Sequence, residues 1–463
     1  MSARLLIIGL EATDLSLVER HIGEGRLPAI SALRVHGRLK TLAASARATD
    51  AALWASFHYA SEIGEHGRYH DILRLESGRF GLAVQDEQER EAIWDELSRH
   101  GMRVAVFDLP KSRAPRPING IHLTDWLVHG RTFPCPLSYP ATLAEEVVNR
   151  FGEAPPSRCD RTCEELTDAQ IVETLGHLRN SVSMKRAAAL FYLGRERWDC
   201  FLVNFKEMHC CSHGYWNLID PGHPAHDRAR ALRLGDPSAE LLQDIDRAVG
   251  DLVATAGPNS EVIVFSTSDF QANGSAYHLL PQIVLRLNKY IRNHGAALLG
   301  PRSIWVVKML PYGENACALR VSRGSRRDEA PPGGSRAMAI DALEDILRKI
   351  SDPATGETIF EAFHRPSSDY TGTRSRSLPD MLLVPRTGVF PQSALSPELG
   401  YIARDVPRWR PGNHRDGGFV IARGSAVEES VGEVDSLAQL GRVPRNTLLP
   451  CESTAAMARP PCD

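Results

Sequence analysis

Asp199-Cys-Phe-Leu-Val-Asn204, followed by Glu207-Met208-His209-Cys210-Cys211-Ser212-His213-Gly214-Tyr215-Trp216, is the stretch on which the reading of this chain turns. An uninterrupted apolar run of this kind reads as a strand buried on both faces, as in sheets covered by helices. It feeds two histidines spaced i, i+4, which share one face if the segment turns helical. Ligands gather outside the carboxyl ends of strands in open α/β sheets, so a histidine pair at that place reads as half of a metal site. Glu207, two residues before His209, is a candidate to orient an imidazole or act as a base.

The same grammar recurs outward from this stretch. Arg4 to Leu10 is a second apolar run, ending in Glu11-Ala-Thr-Asp14 before an amphipathic helix through His21. Glu11 therefore sits at a strand's carboxyl end. A helix over 87–99, with Ala92, Ile93 and Leu97 on one face, leads into the strand Arg103 to Asp108. Ala239 to Ala256 repeats the helix pattern through Leu241, Ile245, Val249 and Leu252, and Glu261 to Phe265 follows as a strand ending in Ser266-Thr267-Ser268-Asp269. Alternating helices and buried strands predict an α/β fold with a central, mostly parallel β-sheet flanked by helices.

Two further segments carry polar groups toward the same end. In Ser45 to Phe57, Thr49 or Asp50 is placed to cap a helix bearing Trp54, a position that also welcomes an anion. Arg410-Pro-Gly-Asn-His414-Arg-Asp-Gly-Gly418 reads as a loop bent around one imidazole, entering the strand Phe419 to Ala422. Elsewhere the pattern is looser. A long helix over 167–194, antiparallel strands within 301–321 joined at Pro311-Tyr-Gly313, a loop over 323–335 and a helix over 338–350 are expected. Residues 1–440 then form one domain with inserted cap and hairpin regions at about 110–197 and 301–374, and 441–463 form an irregular tail.

Composition limits the function classes. A chain of 463 residues with formal net charge -3 and a pI near 6.6 is no polyanion binder working through bulk charge, so small-molecule partners are expected rather than a nucleic-acid polymer. The apolar run at Arg4 to Leu10 is far too short to span a bilayer. Nine cysteines show no repeated spacing, and Cys159-x-x-x-Cys163 has no companion pair, so they read as ordinary thiols in a cytoplasmic protein.

Leu5-Leu-Ile-Ile-Gly-Leu10, Gly25-Arg-Leu-Pro28, Trp54-Ala-Ser-Phe57 with Glu65-His-Gly67, His213 with Trp216, and Gly412-Asn-His414 through Ala422 together resemble the type I phosphodiesterase/nucleotide pyrophosphatase family of the alkaline phosphatase superfamily. The resemblance implies an alkaline-phosphatase-like core, two divalent metals, usually zinc, and a Thr or Ser nucleophile acting on a small phosphorylated substrate. It makes Glu11, His209, His213, His414 and Asp269 metal ligands, with Glu11 standing for the usual Asp after the first strand and His209 for the first Asp of an Asp-x-x-x-His pair. Asp50 falls at the nucleophile's place, with Thr49 one residue earlier, and Ser268-Asp269-Phe270 stands for Ser-Asp-His. With His213 and His414 retained and His209 in place of Asp, one site is expected to hold its metal through three imidazoles, and the other is reduced to Glu11, Asp269 and Asp50. Two readings follow: a hydrolase of phosphate esters or diesters with Thr49 or a metal-bound hydroxide as nucleophile, or a relative that kept the cleft and lost the chemistry.

Overall fold

Trp198–Phe205, the strand leading to the histidine pair, lies inside an eight-stranded sheet in this computed structural model. The residues described are 2–43, 48–74, 80–82, 90–127, 132–156, 166–299, 305–310, 316–323, 334–403 and 410–449. Across the sheet the strands run Arg38–Thr41, Phe419–Arg423, Glu261–Ser266, Ala3–Leu10, Trp198–Phe205, Val104–Phe107, Gly120–Thr124 and Leu137–Tyr139. Neighbours from Glu261–Ser266 to Gly120–Thr124 are parallel, and the strands outside them pair antiparallel. This is the expected α/β architecture.

Ala3–Leu10 shows why the run is continuously apolar. Ile8 pairs with Val203 on one side and Val264 on the other. Leu6 and Ile8 join the core on one face of the sheet, and Leu5 and Ile7 join the core on the other. Alternate side chains of a strand point to opposite faces, so a sheet covered twice needs apolar residues at every position. Pro237–Ala256 and the 28-residue helix Asp168–Arg195 cover one face, with Leu241, Ile245, Val249 and Leu252 buried in the expected register. Asp50–His58 and Leu437–Leu448 contribute to the other.

Trp305–Met309, Cys317–Arg323, Met381–Pro385 and Phe360–His364 form a second, antiparallel sheet, backed by Leu280–Leu299 and Gly334–Leu347 over a core of its own. The antiparallel pair expected within 301–321 is present; its turn at Pro311 to Gly313 lies outside the described residues, as do 324–333, Cys159, Cys163 and 450–463. The tail expected from residue 441 is not irregular at its start, because Leu437–Leu448 is a helix that buries Leu440, Val443 and Leu448. Pro444 sits inside this helix, which made a break look expected. Among the described residues no helix is long and apolar enough to cross a membrane. The thiols of Cys200, Cys211 and Cys317 are buried, and burial pushes each pKa up.

Three histidines are locked in the core neutral. Burial first, then Arg68, holds His66 down to about 3 and His58 well below the usual range, while burial and then Arg113 hold His122 down to about 3. Their folded values lie below the unfolded value, so the stability they support is intact above about pH 6.5 and drains as pH falls from there toward 3. Urea titrations at pH 7 and pH 5 are expected to show a loss of about 2 kcal/mol for each such histidine. His122→Phe is expected to shrink the pH dependence by about that amount. An unchanged pH dependence in the variant contradicts the assignment.

Candidate metal centre

The helix Glu207–Ile219 begins one residue past the end of its strand, and its histidines share a face with ring centroids 4.6 Å apart. Glu207 is two residues from His209, about 200° around a helix, so it points away from the histidine face. Its buried carboxylate faces the Lys185 ammonium at 3.9 Å, and Lys185 pairs with Asp108 at 2.9 Å. Burial raises the Glu207 pKa and outweighs the opposing pull of Lys185. Glu207, expected to orient an imidazole or act as a base, is thus placed in a charged cluster beneath the helix and not beside His209.

His414 arrives on the strand Gly412–Arg415, which pairs antiparallel with Asp269–Ala272. Gly412 permits the approach: a Cβ there would lie 2.1 Å from the Ser212 carbonyl oxygen and 2.8 Å from Trp216 Cβ. In the ladder Phe270 is opposite His414 and Asp269 opposite Arg415. Opposed residues share a face and neighbours alternate, so Phe270 and His414 fall on one side and Asp269 and Arg415 on the other. The Phe270 ring packs 4.8 Å from His213 and 4.9 Å from His414. Asp269 instead accepts from the Leu15 N–H at 3.0 Å and faces Arg415 at 3.4 Å. Its expected place among the ligands is not what the ladder provides.

Nε2 of His414 lies 3.1 Å from Nε2 of His209 and 3.1 Å from Nε2 of His213. His213 donates Nδ1–H to the Gly412 carbonyl at 2.8 Å, which leaves its Nε2 lone pair facing inward. Ser268 Oγ stands 3.0 Å from His414 Nδ1 and can fix that ring the same way. Asp50 Oδ2 lies beside two of the three, 3.2 Å from His209 Nε2 and 3.4 Å from His414 Nε2. Two nitrogens bound 2.0–2.1 Å from a tetrahedral zinc stand about 3.3 Å apart, so this spacing fits one such ion. Lone pairs converging at that range repel unless a cation or proton lies between them.

The protonation states suit a ligand set. Burial, partly opposed by Asp50, holds His414 down to about 4, so it is a neutral donor near pH 7. Burial alone would raise the Asp50 pKa, but His414, His209 and Lys206 outweigh it and hold the carboxyl well below its usual range.

Thr49 is spent elsewhere. It caps the helix Asp50–His58 by accepting from the Ala52 N–H at 3.3 Å and donates to the Tyr69 carbonyl. Asp50, the first residue of that helix, is the one turned into the centre. Glu11 is fully buried; Oε2 accepts from Asn204 Nδ2 at 3.3 Å, and Oε1 lies 3.3 Å from the Lys206 ammonium. Glu11, Asp50 and His209 form a second close group of donor atoms. Sequence reasoning missed Asn204, Lys206, Thr267 and Ser268, although each stands at the carboxyl end of a sheet strand, the rule that singled out Glu11.

The sequence profile described as type I phosphodiesterase / nucleotide pyrophosphatase matches residues 5–415. A comparison with curated protein sequences finds no match. Among solved structures, phosphonoacetate hydrolase from Sinorhizobium meliloti 1021 in complex with phosphonoformate superposes with a TM-score of 0.53 at 13% identity, covering 96% of both chains. The same enzyme in complex with phosphonoacetate gives 0.53 at 14% identity, again covering 96% of both. Murine ectonucleotide pyrophosphatase / phosphodiesterase 5 in complex with AMP gives 0.49 at 10% identity, covering 97% of this chain and 96% of that one.

Zinc titration of the metal-stripped chain is expected to show His213→Ala weakening binding by at least ~100-fold, through loss of a ligand. Ser268→Ala is expected to weaken it ~10-fold, the usual effect of removing a ring-orienting partner. Equal affinities in all three proteins contradict the assignment.

Proposed function

We propose a hydrolytic role for this chain, which belongs to the type I phosphodiesterase / nucleotide pyrophosphatase family: cleavage of a phosphate ester, diester or related small phosphorylated anion at a single divalent centre. The supporting observation is that His414 Nε2 lies 3.1 Å from Nε2 of both His209 and His213, with Asp50 Oδ2 3.2 Å from His209 and 3.4 Å from His414. Three imidazoles with a carboxylate beside two of them suit zinc better than magnesium or calcium, which take oxygen ligands. Such an ion stabilises charge on phosphoryl oxygens and lowers the pKa of water.

The chain's own residues supply the rest. The histidines hold the ion, with His213 oriented by the Gly412 carbonyl and His414 by Ser268. Asp50 balances charge at the first turn of its helix, where the dipole favours an anion. The small phosphonates bound by the phosphonoacetate hydrolase of similar fold agree with a compact anionic substrate.

A second reading has its own observation. The Thr49 hydroxyl is engaged with Tyr69 and Ala52, and Asp50 holds the nucleophile's place, which suits a relative that binds an anion without turning it over. Zinc-loaded protein tested on a p-nitrophenyl phosphomonoester, a bis(p-nitrophenyl) diester and a phosphonate decides between them. Hydrolysis is expected for at least one, lost on chelation and reduced at least ~100-fold by His209→Ala or Asp50→Asn. Stoichiometric zinc with no turnover above the His209→Ala background rejects hydrolysis of these classes in favour of the binding reading.

A further inference from the structure

Lys206 is the residue through which the strand Trp198–Phe205 passes into the helix of the histidine pair. Its side chain is 4% exposed, and its ammonium lies 3.3 Å from Glu11 Oε1. Facing a carboxylate at ion-pair distance, the ammonium keeps its charge. Glu11 is held from its other oxygen by Asn204, whose carboxamide occupies space that only a glycine at position 9 leaves open: a Cβ there would lie 2.5 Å from Asn204 Oδ1. The Glu11–Lys206 pair is thus a built part of the site.

We infer that the Lys206 ammonium takes the place of a second metal ion, so that this centre works with one divalent cation and one fixed organic cation. The inference rests on the metal-centre reading above and concerns only the half of the site around Glu11.

Three observations carry it. A divalent ion bound to Glu11 Oε1 at 2.0–2.2 Å would lie at most about 5.5 Å from the ammonium, in a place too dry to screen them. The charges close with one ion: Glu11 and Asp50 against Lys206 leave one negative charge, one divalent ion makes that one positive, and a second makes it three positive. Finally, the strand Glu261–Ser266 runs beside Ala3–Leu10 in a register that brings its end alongside Glu11, and the residues that follow it are Thr267 and Ser268, both buried, with Ser268 directed to His414, while Asp269 turns to the helix Leu15–Gly23. Hydroxyls are poor substitutes for the carboxylate and imidazole that zinc prefers. An ammonium needs no such ligands, and its three donors suit phosphoryl oxygens.

Equilibrium dialysis of the metal-stripped full chain against Zn²⁺, with elemental analysis, tests this without any assay of activity. The wild type is expected to bind one equivalent, with a second at least ~100-fold weaker. Lys206→Gln is expected to bring the second equivalent within ~10-fold of the first, and Lys206→Arg, which restores the charge, to return to one. Two tight equivalents in the wild type overturn the inference and leave the three-histidine centre standing, as does an unchanged count of one in a folded Lys206→Gln. No bound zinc in the wild type overturns both. Should Lys206→Gln not fold by circular dichroism, Glu11→Gln is decisive. One equivalent with affinity within ~3-fold of wild type supports Lys206 as the partner of Glu11, whereas loss of zinc makes Glu11 a ligand and sinks the idea.

Discussion

The hydrogen bond from His213 Nδ1 to the Gly412 carbonyl, 2.8 Å long, joins segments about 200 residues apart in sequence and sets the geometry of the centre. It sits where the strand Gly412–Arg415 lies directly on the helix Glu207–Ile219, an approach that a single added methyl group at position 412 would block. Everything that meets there depends on this contact. It presents the His213 lone pair, brings His414 to 3.1 Å from both helical histidines, and sets Phe270 against their rings as an apolar floor.

Around the contact, the sheet solves a problem of buried charge. The parallel strands end in Glu11, Asp108, Lys206 and Thr267, all shielded from water. Isolated charges are costly in such a place, so each is paired or shared. Lys185 neutralises Asp108 and faces Glu207 beneath the helix, and Lys206 faces Glu11 within the centre. Two layers of ion pairs result, one under the histidine helix and one beside the ligands. The lower layer is structural in character, because the long helix Asp168–Arg195 contributes Lys185 to it from the side of the sheet away from Asp50.

The family resemblance pointed to the elements that meet at this centre, and the structure brings together some of the residues it named and not others. Asp50 is turned into the centre and Thr49 is not, since the cap position commits the threonine hydroxyl to backbone groups. Asp269 was legible as a carboxylate after a strand, yet pairing with Gly412–Arg415 gives it the face opposite His414. Glu207 was legible as a carboxylate beside a histidine, yet two residues along a helix is the wrong side of it.

By itself the sequence determined the sheet and the histidine pair. The apolar runs Leu5 to Leu10 and Cys200 to Val203 can be satisfied only when buried on both faces, and the i, i+4 spacing of His209 and His213 holds in any helix. Both are local periodicities, so neither needs knowledge of distant contacts. What only the tertiary structure decided is which side chains share the space between the elements. Whether Lys206 joins Glu11, whether Ser268 reaches His414, and whether Asp269 turns away depend on how strands far apart in the chain are registered against one another. A one-residue change of that register exchanges the two faces of a strand, and no local pattern in the chain encodes which face wins.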